Sequence, residues 1–357
     1  MRKLLAFLLI GLLGLGCIST ASANGWGLPG SLTALFENEA MKDYADYTAA
    51  AKDQDMRRNR PQETAVFVME ARYHSELFVA VEGANGWEFA ARSTTAVPQP
   101  ADKLSMTLEK VSADSFLLEI TRSKTDTDVW CFTREDGQWL LQEGTLTTKK
   151  GEVAYLRQDG GYLVSDGKTN ELWAVAPITL SSFDWKRNPA TPAQARQMNK
   201  AAQLTQVTFP EGTEERAAKQ LDAAVYTAPS AKSARMAKNK AAVSLRGGFT
   251  LYGQTGDWYL ISYPVSVRTS RVGYIAKLEA GDWPCDALTF AKVNVKTTEK
   301  TFLTDDPMTS RYAQAKLKKG TKAQLLAVKA PYWGYVETTV KHKTIRGFVP
   351  LSALTKR

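Results

Sequence analysis

The sequence predicts a mainly β protein: an N-terminal β-barrel or β-sandwich, a short helical linker and two small β-barrels at the C-terminal end. Three observations carry this reading. Between residues 63 and 185, short runs rich in Val, Phe, Trp, Tyr and Thr alternate with Gly-containing turns. Residues 188–192 (Asn-Pro-Ala-Thr-Pro) then break the alternation and open an Ala- and Gln-rich helical pattern. Beyond residue 220, a Trp followed by a Gly-aromatic-aliphatic close occurs twice, with 15 positions from Trp258 to Gly273 and 14 from Trp333 to Gly347. A motif repeated with its spacing marks one small module used twice.

The 357 residues suffice for two or three domains, and a hydrophobic content of 44% is enough to build their cores. Residues 1–23 read as a signal peptide: Arg2 and Lys3, an apolar run from Leu4 to Gly16, and Ala21-Ser22-Ala23 as cleavage site. The expected localisation is secreted or envelope-associated. No transmembrane helix is expected in the mature chain, because the apolar run is short and no second one of spanning length follows. Cys17 offers a lipoprotein acylation site as the alternative. Gly14 stands where such sites carry Leu, and the Ala-x-Ala site is the better match. Residues 24–62 are expected to form a helical or irregular lead-in, with a short amphipathic segment after Ser31 (Leu32, Leu35, Phe36) and a polar stretch from Lys42 to Pro61 that carries Arg57, Arg58 and Arg60.

Within 63–185, ten strands are expected near residues 65–69, 77–81, 87–91, 104–108, 116–120, 129–133, 139–143, 153–156, 162–165 and 172–176. Turns fall at Asn85-Gly86, Asp136-Gly137, Asp159-Gly160-Gly161 and Asp166-Gly167. Ten short strands without an intervening helix either close a barrel or stack as two layers. Residues 186–222 are the helical linker. Thr191 caps a helix that Pro192 opens, and Thr213-Glu214-Glu215 starts a second short one.

The first module, residues 223–280, runs from Val225-Tyr226-Thr227-Ala228-Pro229 through Arg246-Gly247-Gly248-Phe249 and Trp258-Tyr259-Leu260-Ile261 to Arg271-Val272-Gly273-Tyr274-Ile275. The second, residues 290–354, runs from Phe302-Leu303-Thr304-Asp305-Asp306-Pro307 through Leu317-Lys318-Lys319-Gly320-Thr321 and Trp333-Gly334-Tyr335-Val336-Glu337 to Arg346-Gly347-Phe348-Val349-Pro350. The pair resembles tandem bacterial SH3 domains (SH3b), small barrels found in exported bacterial proteins and wall hydrolases. The resemblance covers a little over a third of the chain. It implies non-catalytic binding to the cell envelope, with peptidoglycan as partner; an anionic wall polymer, which the charge of the C-terminal half suggests, and another envelope protein are the other partners expected. It departs from the simplest case in that no recognisable wall-cleaving domain stands beside the pair.

In so small a barrel, Trp258, Gly273, Trp333 and Gly347 have structural work to do: the Trp fills core or rim, and the Gly lets the last strand pass close. Ligand candidates are Tyr252, Tyr259, Tyr263 and Tyr332, which closure does not require, with Trp258, Trp333 and Tyr335 beside them. Charge separates the halves. Residues 221–357 hold 22 Lys+Arg against 9 Asp+Glu, and residues 24–220 hold 22 against 28. The basic half suits an anionic partner, which outside a cell is wall polymer, glycan or membrane phosphate rather than nucleic acid.

Reacting groups are sparse. A Cys-His nucleophile pair requires Cys131 or Cys285 with His74 or His342, and no spacing brings them together; the two cysteines read as small thiols. No Cys/His cluster has zinc spacing, no phosphate loop or Gly-x-Ser-x-Gly elbow occurs, and Asp126/Asp128 and Asp53/Asp55 lack the rest of a calcium loop. No cofactor is expected. Dispersed carboxylates such as Glu70, Glu76, Glu82 and Glu88 leave an envelope hydrolase as the alternative function, and a protein-contact scaffold as the third.

Overall fold

The computed structural model describes residues 64–71, 74–83, 86–112, 114–235, 241–266, 269–307 and 313–357. The expected signal peptide and the lead-in of residues 24–62 lie outside them. The protein is mainly β, built of antiparallel sheets.

Strands β1 (Thr64–Ala71), β2 (His74–Gly83) and β3 (Gly86–Ser93) form a three-stranded meander. A second meander follows in strict sequence order: β4 (Ser105–Ser112), β5 (Ser115–Thr121), β6 (Thr127–Glu135), β7 (Gln138–Thr148), β8 (Gly151–Gln158), β9 (Gly161–Ser165) and β10 (Asn170–Trp173). Two-residue loops at Asp136-Gly137, Lys149-Lys150 and Asp159-Gly160 set its register, pairing Glu135 with Gln138, Thr148 with Gly151 and Gln158 with Gly161. Period-two burial on β5 and β6 sends Phe116, Leu118, Ile120, Trp130 and Phe132 inward. The first sheet adds Val66, Val68, Leu77 and Val79 to the same core.

Thr191 accepts a hydrogen bond from the Gln194 amide (3.1 Å), and Pro192 opens helix α1 (Pro192–Ala202). Its buried face, Ala195, Met198 and Ala201, joins the same core, and Gln197 donates to the Leu354 carbonyl near the chain's end. The helix is a strap between the β-domain and the second module.

The expected second helix is a correction: residues 213–215 form strand β11 (Thr213–Glu215). β12 (Asp222–Ala224) pairs with β13 (Ala242–Ser244). β11 joins β14 (Phe249–Thr255), β15 (Trp258–Ser266) and β16 (Thr269–Ala276) in a four-stranded sheet that a helical turn α2 (Lys277–Ala280) ends. Pairing of Thr213 with Leu251 and of Glu215 with Phe249 overrides a weak helix preference in so short a segment. Ala217 enters the core of the first module, which therefore begins before residue 223.

The second module comprises β17 (Val293–Thr297), β18 (Thr301–Thr304), β19 (Ala313–Leu317), β20 (Lys322–Lys329), β21 (Trp333–Val340), β22 (Lys343–Pro350) and β23 (Leu354–Lys356). Their order is β19-β18-β22-β21-β20-β17-β23.

The two modules repeat each other in register. Trp258 lies opposite Ala276 and Ile261 opposite Gly273; Trp333 lies opposite Pro350 and Val336 opposite Gly347. A bulge separates Leu251 from Gly253 in one and Leu325 from Ala327 in the other. The residue after each closing glycine pairs with the opening segment: Tyr274 with Tyr226, and Phe348 with Thr304. A Cβ on Gly273 would lie 2.8 Å from Val225 Cγ1, and one on Gly347 would lie 2.6 Å from the Thr304 oxygen. Both closing strands thus need a residue without a side chain where they pass their opening segment.

Candidate functional site

The aromatic candidates are largely consumed by the interior. On β15, Tyr259, Ile261 and Tyr263 share one face and point into the core of the first module, where Tyr259 is 2% exposed. The Tyr259 hydroxyl accepts from the Trp283 amide (2.9 Å), and its ring lies under the Lys277 ammonium. Leu260, on the opposite face, joins the larger core, so β15 is covered on both sides. Trp258 packs edge-on to Tyr226 with ring centres 4.8 Å apart. Tyr252, the bulge residue, lies edge-on to Phe209 at 5.1 Å.

Phe209 is the hub of the joint between modules. Its ring also meets Tyr335 at 5.0 Å and Phe348 at 4.9 Å. Its amide donates to the Val328 carbonyl (2.7 Å), while Val328 donates back to Val207 (2.8 Å), so the linker lies along β20. Tyr335 is 1% exposed, and its hydroxyl meets that of Tyr274 at 3.0 Å. Arg346 donates to the Tyr274 oxygen (2.9 Å) and to Glu337 (2.7 Å). On the other side, buried Asp305 accepts from Arg235 and from the Val272 amide, through its carboxylate and its main-chain oxygen respectively. Two modules joined by a shared aromatic cluster and buried ionic hydrogen bonds form one unit.

Tyr332 and Trp333 come together at the edge of a cleft of about 250 Å³ between the second module and the β-domain. Pro307 and residues 329–333 form one wall; Thr95, Ser182 and Asp184 form the other. Both aromatics are already covered, at 3% and 4% exposure. The Arg187 guanidinium sits 5.0 Å from the rings of Phe302 and Trp333, the Tyr332 hydroxyl donates to Asn188 Oδ1 (3.0 Å), and its ring lies against Trp173. Burial pushes the Asp184 carboxyl up to about 6 in spite of Arg187 nearby. The β-domain therefore occupies the aromatic edge that the sequence offers as a ligand surface. No family model, curated protein or solved structure matches the chain.

In the β-domain, Cys131 lies on β6 between Leu117 and Glu143, and burial pushes its thiol up to about 11. A thiol held protonated in this way is a poor nucleophile. Burial also raises the Cys285 thiol, and both cysteines are free. His74 begins β2, but its side chain lies outside the described residues, as do those of Glu70 and Glu82. Glu76 is buried and Glu88 exposed. Asp128 is buried against Arg122 at 2.7 Å. His342 is exposed in the β21–β22 turn. Among the described residues no three His, Cys, Asp or Glu side chains are grouped to hold a metal, and no helix is long and apolar enough to cross a membrane. A larger open groove of about 730 Å³ runs between the Glu135–Arg157 ion pair and residues 174–177.

What the sequence missed are the residues that build the joints, Phe209, Arg187 and Arg235, and the part played by Asp305 of the second module's opening segment; only long-range packing gives them these roles.

Proposed function

We propose that the protein is an exported, non-catalytic binding protein that associates with the bacterial cell envelope through its tandem C-terminal modules, which are SH3-like. The observation that carries the reading is the repeated register. The Trp strand, the bulge, the closing glycine and its pairing with the opening segment recur residue for residue in both modules. That is what a duplicated small barrel requires, and the residues quoted for the family resemblance are those that make it. The basic balance of residues 221–357 supports an anionic envelope component as partner. The raised thiol of Cys131 speaks against a cysteine nucleophile in the β-domain.

Because α1, Trp173 and Arg187 pack onto the second module, the intact chain is the species to test. It is sedimented with purified cell walls while wall turbidity is followed. Retention in the pellet without clearing is the expected result; clearing would assign the hydrolase instead.

A further inference from the structure

We propose that one end of the second module is a binding surface for a linear polyol-phosphate polymer; this rests on the envelope-binding reading and names its partner's chemistry. Lys296 on β17 lies directly opposite Lys322 on β20, with Thr355 of β23 on its other side, and both lysines are exposed. The Lys318-Lys319 turn is fastened beside them: the Thr297 hydroxyl donates to the Lys318 carbonyl (2.6 Å), and the Gly320 amide donates to the Thr297 carbonyl (2.8 Å). The β21–β22 turn carries Lys341 and Lys343. It reaches the same end, because Thr338, near the end of β21, donates from its hydroxyl to the carbonyl of Lys322, where β20 begins (2.8 Å).

Six exposed ammonium groups thus share one end of a small barrel. Among the described residues none of the six is in an ion pair. Among the described residues there, Glu299 is an exposed carboxylate and Glu337 is engaged by Arg346. Like charges directly across a strand pair disfavour folding, so the arrangement costs stability in the free protein and is relieved by a polyanion.

The form of the surface selects the partner. The charges are spread over adjacent strands about 4.8 Å apart and over two turns, as an extended partner requires. All six are lysines, hydrated point charges on flexible stems. As point charges they suit a mobile chain of phosphates that presents its charges in no fixed plane, where arginine's planar fork would hold a phosphate or a carboxylate in one geometry.

The test titrates the intact protein with poly(glycerol phosphate), with polygalacturonate and dextran as parallel arms. Binding to poly(glycerol phosphate) is expected, at least about tenfold weaker binding to polygalacturonate and none to dextran, with about a tenfold loss between 50 and 200 mM salt. The pair Lys296→Glu/Lys322→Glu should lose at least about tenfold, and Lys296→Gln/Lys322→Gln a smaller amount. Lys149→Glu/Lys150→Glu, the same charge change on the β7–β8 turn, should stay within about twofold. Equal losses in the Lys296/Lys322 and Lys149/Lys150 pairs would reduce the effect to net charge and overturn the site, as would equal affinity for polygalacturonate. Melting temperatures of all variants identify any that fails to fold, and the glutamine pair then decides. Undiminished retention on walls stripped of phosphate polymer would overturn this inference while leaving envelope binding intact; absence from both intact and stripped walls would remove both.

Discussion

The hydroxyls of Tyr274 and Tyr335 meet at 3.0 Å across the boundary between the two modules, and Arg346 donates to the first of them. Tyr274 follows the closing glycine of the first module, and Tyr335 belongs to the Trp strand of the second. The second module thus pairs its own interior residue with the first module's closing strand. Tyr335→Phe deletes this bond without altering the packing, and a loss of about 1 kcal/mol in denaturant unfolding is expected. An unchanged midpoint would mean that the hydroxyl pair contributes nothing to the joint.

The closing glycines make a sharper test. Gly347→Ala sets a Cβ against main-chain oxygen and the Leu303 side chain, and Gly273→Ala sets one chiefly against a valine methyl. Both should destabilise, by about 1–3 kcal/mol, with Gly347→Ala the worse. Gly247→Ala, which meets nothing within 4 Å, should stay within about 0.5 kcal/mol of the parent. Equal, small effects at all three positions would contradict close passage of the strands.

Arg187, two residues beyond the β-domain, packs on Phe302 and Trp333 of the second module. Arg187→Ala should cost about 1–2 kcal/mol and expose Trp333, read as a red shift of tryptophan emission. Emission identical to the parent would show that the aromatic edge stays covered without the guanidinium.

Asp184 gives this contact a pH dependence. Its folded carboxyl titrates at about 6, above its ordinary range, so the folded state holds the proton more tightly than the unfolded one. Its contribution to stability is full below about pH 4 and is lost as pH rises through about 6. Asp128, also raised to about 6 by burial, acts in the same direction; Asp166 and Glu135, exposed and lowered, act in the opposite one. Melting curves between pH 4 and 7 should therefore fall less steeply for Asp184→Asn than for the parent. A slope that the substitution leaves unaltered would place the titration elsewhere.

The strand content of the β-domain was legible because hairpin turns such as Asp136-Gly137 and the alternation around Trp130 are local signals. The module repeat was legible for the same reason, since Trp-to-Gly spacing is a property of one hairpin. The fate of the tyrosines was not. Tyr259 and Tyr263 alternate with Ser262 as they would on a half-exposed strand, and only Leu260 entering a second core shows that β15 is covered on both sides. The Lys318-Lys319-Gly320 turn is visible in the sequence, but Lys296 lies 22 positions before Lys318, and only the β17–β20 register places them at one end. Thr213-Glu214-Glu215 carries a helix-start pattern that pairing with β14 overrules.

Envelope association is tested most directly by the fraction of intact protein that pellets with purified cell walls at low salt, measured again as salt is added. Most of the protein should pellet without loss of wall turbidity and be progressively released by salt. Protein that remains wholly in the supernatant at low salt would contradict the account.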